Sequence, residues 1–197
     1  IVSYTGTGAN ATVGHGLGVA PKMIITKARG TTNNWGIYHE SLGNTDAVFL
    51  NLTNAKDTAS TYWNNTSPTS SVYSVGSAAG TNPSATMIAY CFADTGNKFF
   101  KAGSYTGNGN ADGTFVYTGF KPAMIIRKRT DVSGSFWRID DNKRPAFNVN
   151  NSLISPHNST EETTGDAQKN DFLSNGFKCR GTSGNQNASG GTYIYMA

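Results

Sequence analysis

"SYTGTG" at Ser3–Gly8 returns as "SYTGNG" at Ser104–Gly109. The strand-like runs that follow, "APKMIITKARG" (Ala20–Gly30) and "KPAMIIRKRT" (Lys121–Thr130), keep the same offset of 101 residues, measured from 3 to 104 and from 21 to 122. Gly18-Val19 is likewise answered by Gly119-Phe120. Several landmarks at one spacing read as an internal duplication. A chain of 197 residues then divides into two units of similar size, 1–97 and 98–197.

Within each half the periodicity is that of β-strands. Short apolar runs follow Pro21 and Pro122, suiting proline at the start of a strand. "WGIYHE", "AVFLNLT", "SVYSVGS" and "TMIAYCFA" continue the first half, and "SFWRID", "AFNVNN", "GFKCRG" and "GTYIYMA" the second. Clusters of Gly, Asn, Ser, Thr and Pro separate them by turn chemistry. The expected fold is all-β, two tandem sandwich or jelly-roll-like repeats of six or seven strands with little helix. Thr53–Trp63 and His157–Asn170 are long polar segments, too poor in apolar residues at helical spacing for more than a turn. In the connector Ala93–Gly103, the adjacent Phe99 and Phe100 are expected to bury against a surface. That leaves open a merger of both halves into one barrel or sandwich.

Hydrophobic residues at 37% and aromatics at 11% suffice for a core despite only 14% charged residues. The net charge of +4 arises in the second half, with twelve basic and eight acidic residues against four of each before residue 98. Its one basic cluster, Arg127-Lys128-Arg129, is too short for a nucleic-acid stripe and reads as a solvated strand face. No apolar run reaches membrane-spanning length, so neither nucleic acid nor membrane is an expected partner. Cys91 and Cys179 stand at unmatched places and read as buried free thiols. A chain opening at Ile1 is expected to be a processed or partial segment of a longer protein.

No catalytic set emerges. His15, His39 and His157 are scattered, no G-x-S-x-G elbow occurs, and "GHGLG" (Gly14–Gly18) lacks the Lys-Ser/Thr of a phosphate loop. That stretch reads as a turn oriented by His15. Asp140 and Asp141 are strand neighbours expected on opposite faces, so they cannot easily share a substrate. Catalytic, metal and cofactor residues are accordingly expected to be none. Aromatics carry the better signal: Tyr62, Trp63, Asn64 and Asn65, in "STYWNNTSPTSS", are the candidate glycan or receptor contacts. An exposed Tyr–Trp pair could stack on sugar while the amides bind hydroxyls, the competing reading being that Trp63 plugs the end of a sandwich.

Nearly the whole chain resembles a repeat family found in structural proteins of tailed phages. The resemblance lies in "GHGLGVAPKMIITKARG", "WGIYHESLG" and "LNLTNAKDTASTYWNNTSPTSSVYSVGS" in the first half. In the second it lies in "GSYTGNGNADGTFVYTGFKPAMIIRKR" and "DFLSNGFKCRGTSGNQNASGGTYIYMA". It implies a virion protein on the tail or capsid exterior: a tail-fibre or receptor-binding appendage that adheres to the host surface, with a capsid decoration or cement protein as the alternative and a carbohydrate-active hydrolase behind both. It further implies other virion proteins as partners, a trimeric homo-oligomer, and a host surface glycan or receptor as ligand, without supplying catalytic residues.

Overall fold

The computed structural model describes residues 1–96, 98–145 and 147–197. The chain is nearly all β and divides into two compact units: Ile1–Leu52 with Lys56–Gly96, and Thr53–Ala55 with Asn97–Ala197. Asn97, where the sequence reading placed its boundary, lies outside the described residues.

Unit 1 contains β1 (Val2–Thr5), β2 (Ala11–Gly14), β3 (Met23–Ala28), β4 (Gly36–His39), β5 (Asp46–Phe49), β6 (Asp57–Thr58), α1 (Ser60–Trp63), β7 (Val72–Val75) and β8 (Thr86–Phe92). One antiparallel sheet has the order β1-β8-β3-β4-β5-β6, and β2 pairs with β7 in a second. Val13, Tyr73 and Val75 from the small sheet meet Ile24, Tyr38, Ala47 and Ala89 from the large one, closing a sandwich core. Burying each large apolar side chain there contributes roughly 1.5–3 kcal/mol.

Unit 2 contains β9 (Ala102–Thr106), β10 (Phe115–Tyr117), β11 (Met124–Arg129), β12 (Arg138–Asp141), β13 (Ser152–Leu153), β14 (Thr163–Thr164), β15 (Asn170–Leu173), β16 (Gly176–Cys179) and β17 (Thr192–Met196). Its sheets run β12-β11-β17-β9 and β10-β16-β15, with β13-β14 as a separate ribbon. Tyr105, Ile125 and Tyr195 from the first pack on Val116, Phe172 and Phe177 from the second. The neighbour order β9-β17-β11-β12 repeats the order β1-β8-β3-β4.

The twice-written motif has a physical reason in each unit. The hydroxyl of Tyr4 donates to the Thr81 carbonyl, and that of Tyr105 to the Gln186 carbonyl at 2.8 Å. A Cβ on Gly6 would fall 1.9 Å from the Pro83 carbonyl oxygen, and one on Gly107 2.3 Å from that of Ala188, so both positions require glycine. Gly8 and Gly109 hold φ of 69° and 68°, a left-handed turn that glycine enters without cost. A buried asparagine then clamps each turn. Asn82 Nδ2 donates to the carbonyls of Ala9 (2.6 Å) and Gly76 (2.8 Å), while its Oδ1 accepts from the Thr7 amide at 2.9 Å. Asn187 Nδ2 donates to those of Asn110 (2.8 Å) and Gly181 (3.1 Å), and its Oδ1 accepts from the Asn108 amide at 3.0 Å.

Four expectations are corrected. The run from residue 147 to 151 is not a strand; only Asn150 makes an isolated bridge, to Asn170, and pairing starts at Ser152. Its neighbour Ala146 lies outside the described residues. The basic cluster is no solvated face, because Arg127 and Lys128 are fully buried and Arg129 pairs with Asp131. Strand β11 is covered on both sides, so alternation sends successive side chains into two different interiors. Phe99 is 86% exposed, although Phe100 is half-buried. Both cysteines are free, but Cys91 is only half-buried while Cys179 is buried. His15 does orient its turn, accepting the Leu17 amide at Nδ1 (3.2 Å) with Nε2 3.1 Å from the Thr69 carbonyl.

Candidate functional site: an aromatic and amide hollow

The polar segment after β6 folds into a single helical turn, α1. It lacks a side-chain cap at Ala59 and stops at Asn64, whose left-handed φ of 50° is followed by 46° at Asn65. Asparagine tolerates this region better than most residues, which explains two in succession. The short turn decides the fate of its aromatic pair. Trp63 swings inward and is 1% exposed, with Nε1 donating to the Asp46 carbonyl at 3.1 Å and its ring edge-on to Tyr38 at 5.7 Å. The exposed Tyr–Trp stacking pair is therefore corrected: the indole, with its N–H satisfied, belongs to the core. Asn64 and Asn65 remain at the surface, Asn64 half-buried and Asn65 exposed.

Tyr62 takes the other side of the turn and stays half-buried. Its hydroxyl donates to the Asp57 carboxylate, and its ring meets Phe49 at 5.7 Å and 69°. Burial, reinforced by the Asp57 carboxylate, pushes its pKa up to about 12, so it is a neutral phenol at any physiological pH. Tyr62 and Phe49 border a hollow of about 360 Å³. Thr32–Asn34 and the small residues Ala78–Gly80 complete its lining. A Cβ on Gly80 would already stand 3.3 Å from the Phe49 ring.

The polar part of this lining is held in place. Lys27 Nζ donates to the carbonyls of Thr31 (3.0 Å) and Asn33 (2.7 Å), tying down the loop. Asn51 receives the Trp35 amide at Oδ1 (3.0 Å) and gives its Nδ2 to Asn34 Oδ1 (2.9 Å). That bond fixes the amide of Asn34 and leaves its Nδ2 donors for a ligand. The sequence reading included Tyr62 and missed Phe49 and Asn34; the signal available was Phe49 closing the "AVF" strand and the Asn33-Asn34 pair before Trp35.

Unit 2 carries a charged interior at the matching segment. A Cβ on Gly76 would strike the Thr61 carbonyl oxygen at 2.2 Å, and one on Gly181 that of Ala167 at 2.2 Å, so α1 corresponds to the 3₁₀ turn Asp166–Gln168. Beneath it lies a buried charge cluster. Asp140 accepts from Arg127 at Oδ2 and from Arg138 at Oδ1, both at 2.9 Å. Arg127 also donates to Asn170 Oδ1 (2.7 Å) and Gln186 Oε1 (3.1 Å), and Arg138 to the Gln168 carbonyl (2.9 Å). Burial is the largest influence on both guanidiniums and opposes their charge. For Arg127 the Asp140 carboxylate together with Tyr105 and Cys179 outweighs burial and raises the pKa, whereas for Arg138 burial prevails and lowers it. Asp140 is thus sealed in while Asp141 faces outward and pairs with Arg144, the opposite placement that strand alternation requires. Among the described residues, no group of three or more His, Cys, Asp or Glu side chains is placed to hold a metal ion.

Over its full length, residues 1–197, the chain belongs to the family described as "Domain of unknown function (DUF7483)". No curated protein and no solved structure matches it.

Proposed function

We propose that this chain is a phage virion module, carried on a tail fibre or another receptor-binding appendage, that adheres to the host surface. The resemblance of both halves to repeats in tailed-phage structural proteins supplies the setting. The observation that carries adhesion is the hollow beside Tyr62: two locked aromatic rings, a braced amide and small lining residues on a β scaffold. Recognition residues on loops held by a rigid sandwich suit a surface-binding module, because little order has to be created on binding.

Antibody-gold labelling or a particle reconstruction tests the location. Density for the chain on the tail appendage supports the proposal. Density on the capsid shell replaces it with the decoration role. In parallel, the purified chain should compete with the phage for adsorption to host cells, and failure to compete at saturating concentration counts against adhesion.

A further inference from the structure

The geometry points to a more specific role for the hollow of unit 1, one that rests on the adhesion reading: it is a subsite for a single neutral pyranose ring of a glycan. The lining itself selects this class. Its apolar side is made of Tyr62 and Phe49, whose mutual edge contact and the Tyr62–Asp57 hydrogen bond hold the rings still. A fixed ring offers contact area at little entropic cost, and the C–H face of a pyranose is the matching surface.

The polar part of the lining is uncharged, formed by Thr32, Asn33 and Asn34. A wholly apolar ligand would strip water from the Asn34 amide without replacing its hydrogen bonds, which is unfavourable. A sugar places hydroxyls there while its face covers the rings. Charge selection follows from what the neighbouring ions already do. The Lys27 ammonium is committed to the Thr31 and Asn33 carbonyls, and the Asp57 carboxylate accepts from Tyr62. Neither is among the residues lining the hollow, so an anionic sugar finds no counter-charge. At about 360 Å³ the hollow stands at the small end of ligand sites, roughly 300–1,000 Å³, which suits one ring rather than a chain gripped at several points.

Saturation-transfer NMR on the full chain tests this, using the methyl glycosides of glucose, galactose, mannose and N-acetylglucosamine as probes and methyl glucuronide and sialic acid as anionic controls. At least one neutral glycoside should receive saturation while the anions do not. Tyr62→Ala should weaken that binding roughly tenfold, the loss expected for removing one aromatic contact. Tyr62→Phe, which keeps the ring, should retain it. Ala79→Phe, at an exposed lining position, should block the hollow while leaving both aromatic residues in the chain, so the test survives even if Tyr62→Ala misfolds. Silence from all neutral probes at millimolar concentration, binding indifferent to both Tyr62→Ala and Ala79→Phe, or preference for the anions would each overturn the subsite. Host-cell adsorption separates this from the broader reading: glycoside binding without adsorption leaves the subsite standing and removes adhesion, whereas adsorption undiminished in Ala79→Phe removes the subsite and leaves adhesion.

Discussion

The two units use the same strand register to build opposite kinds of interior. In unit 1, Thr26 pairs across the sheet with Gly36, Ile25 with Ile37 and Ile24 with Tyr38. In unit 2, Arg127 pairs with Arg138, Ile126 with Ile139 and Ile125 with Asp140. Thr26 needs only the carbonyls of Gly36 (3.2 Å) and Gly80 (2.9 Å), and Tyr38 leans on the indole of Trp63. The matching places in unit 2 hold two guanidiniums around one carboxylate, capped by the amides of Asn170 and Gln186. An aromatic plug tolerates imperfect neighbours, whereas a buried ionic cluster must be completed by every partner. Arg127 Nε and two of the Arg138 nitrogens already lack a partner in that cluster. The difference teaches that a β scaffold can exchange an apolar core position for a charged one provided that several strands change together.

The largest expected effect breaks the ionic side of this comparison. Asp140→Ala leaves two buried guanidiniums without their carboxylate and should cost about 3–5 kcal/mol. Hydrogen exchange of the β11 and β12 amides measures it, and protection in β3 and β4 should stay as in the parent. Replacing Arg127, Arg138 and Asp140 together by Met or Leu should recover most of the loss, because a well-packed apolar substitute for a buried ion cluster is often neutral or better. If the triple variant is no more stable than Asp140→Ala, the cluster does more than fill the interior.

On the aromatic side, Trp63→Ala should cost roughly 3–4 kcal/mol through the cavity it opens under α1. Thermal unfolding followed in the near-ultraviolet region reads it. A loss below about 1 kcal/mol would return Trp63 to the exposed stacking role, the alternative to a core plug.

The clamp shared by both units should answer symmetrically. Asn82→Ala and Asn187→Ala each strand buried backbone groups and should each cost about 2 kcal/mol, seen as lost protection in the Gly6–Ala9 or Gly107–Asn110 turn. A marked inequality would show that the two turns, alike in geometry, are supported differently.

The smallest effect is a pH dependence that Lys128 adds to unit 2. Lys128 is fully buried with Nζ donating to the Arg129 carbonyl at 2.7 Å, and burial, eased only partly by Asp131, lowers its pKa from 10.5 to about 8. Above about pH 8 the folded unit has released this proton while the unfolded chain still binds it. Stability should therefore rise between about pH 8 and 9, on the order of 1 kcal/mol, before burial of the Cys91 and Cys179 thiols, which raises their folded-state pKa, begins to oppose it. Beyond pH 10 the sign reverses in both units, since burial raises the folded-state pKa of tyrosines such as Tyr4 and Tyr38 to about 12 and Tyr105 and Tyr193 upward as well. Equilibrium urea unfolding across this range checks it, and Lys128→Met should flatten the rise.

Much of the scaffold was legible because its signals are local. Strand-length apolar runs and glycine at left-handed turns need only their own neighbours to be understood, and "SYTG" announces itself by repetition although its partners lie far along the chain. The failures share a different cause. The polar residues around Trp63 leave two readings open, a surface contact or a core plug, and only the helical turn that rotates it under the sheet while leaving Tyr62 out decides for the plug. The cluster at Arg127–Arg129 was read as solvated because charge normally stays wet, and only Asp140 from β12, Asn170 from β15 and Gln186 from the 183–187 turn make its burial affordable.

By itself, then, the sequence determined the β class, the spacing of the turns and the membership of Tyr62 in a surface feature, all consequences of backbone preference and alternation over a few residues. The tertiary structure decided which aromatic faces the core, which charges are buried, and that Phe49, Asn34 and Tyr62 share one hollow. Those outcomes depend on side chains distant in the chain, whose desolvation is compensated only once the strands carrying them have been brought together.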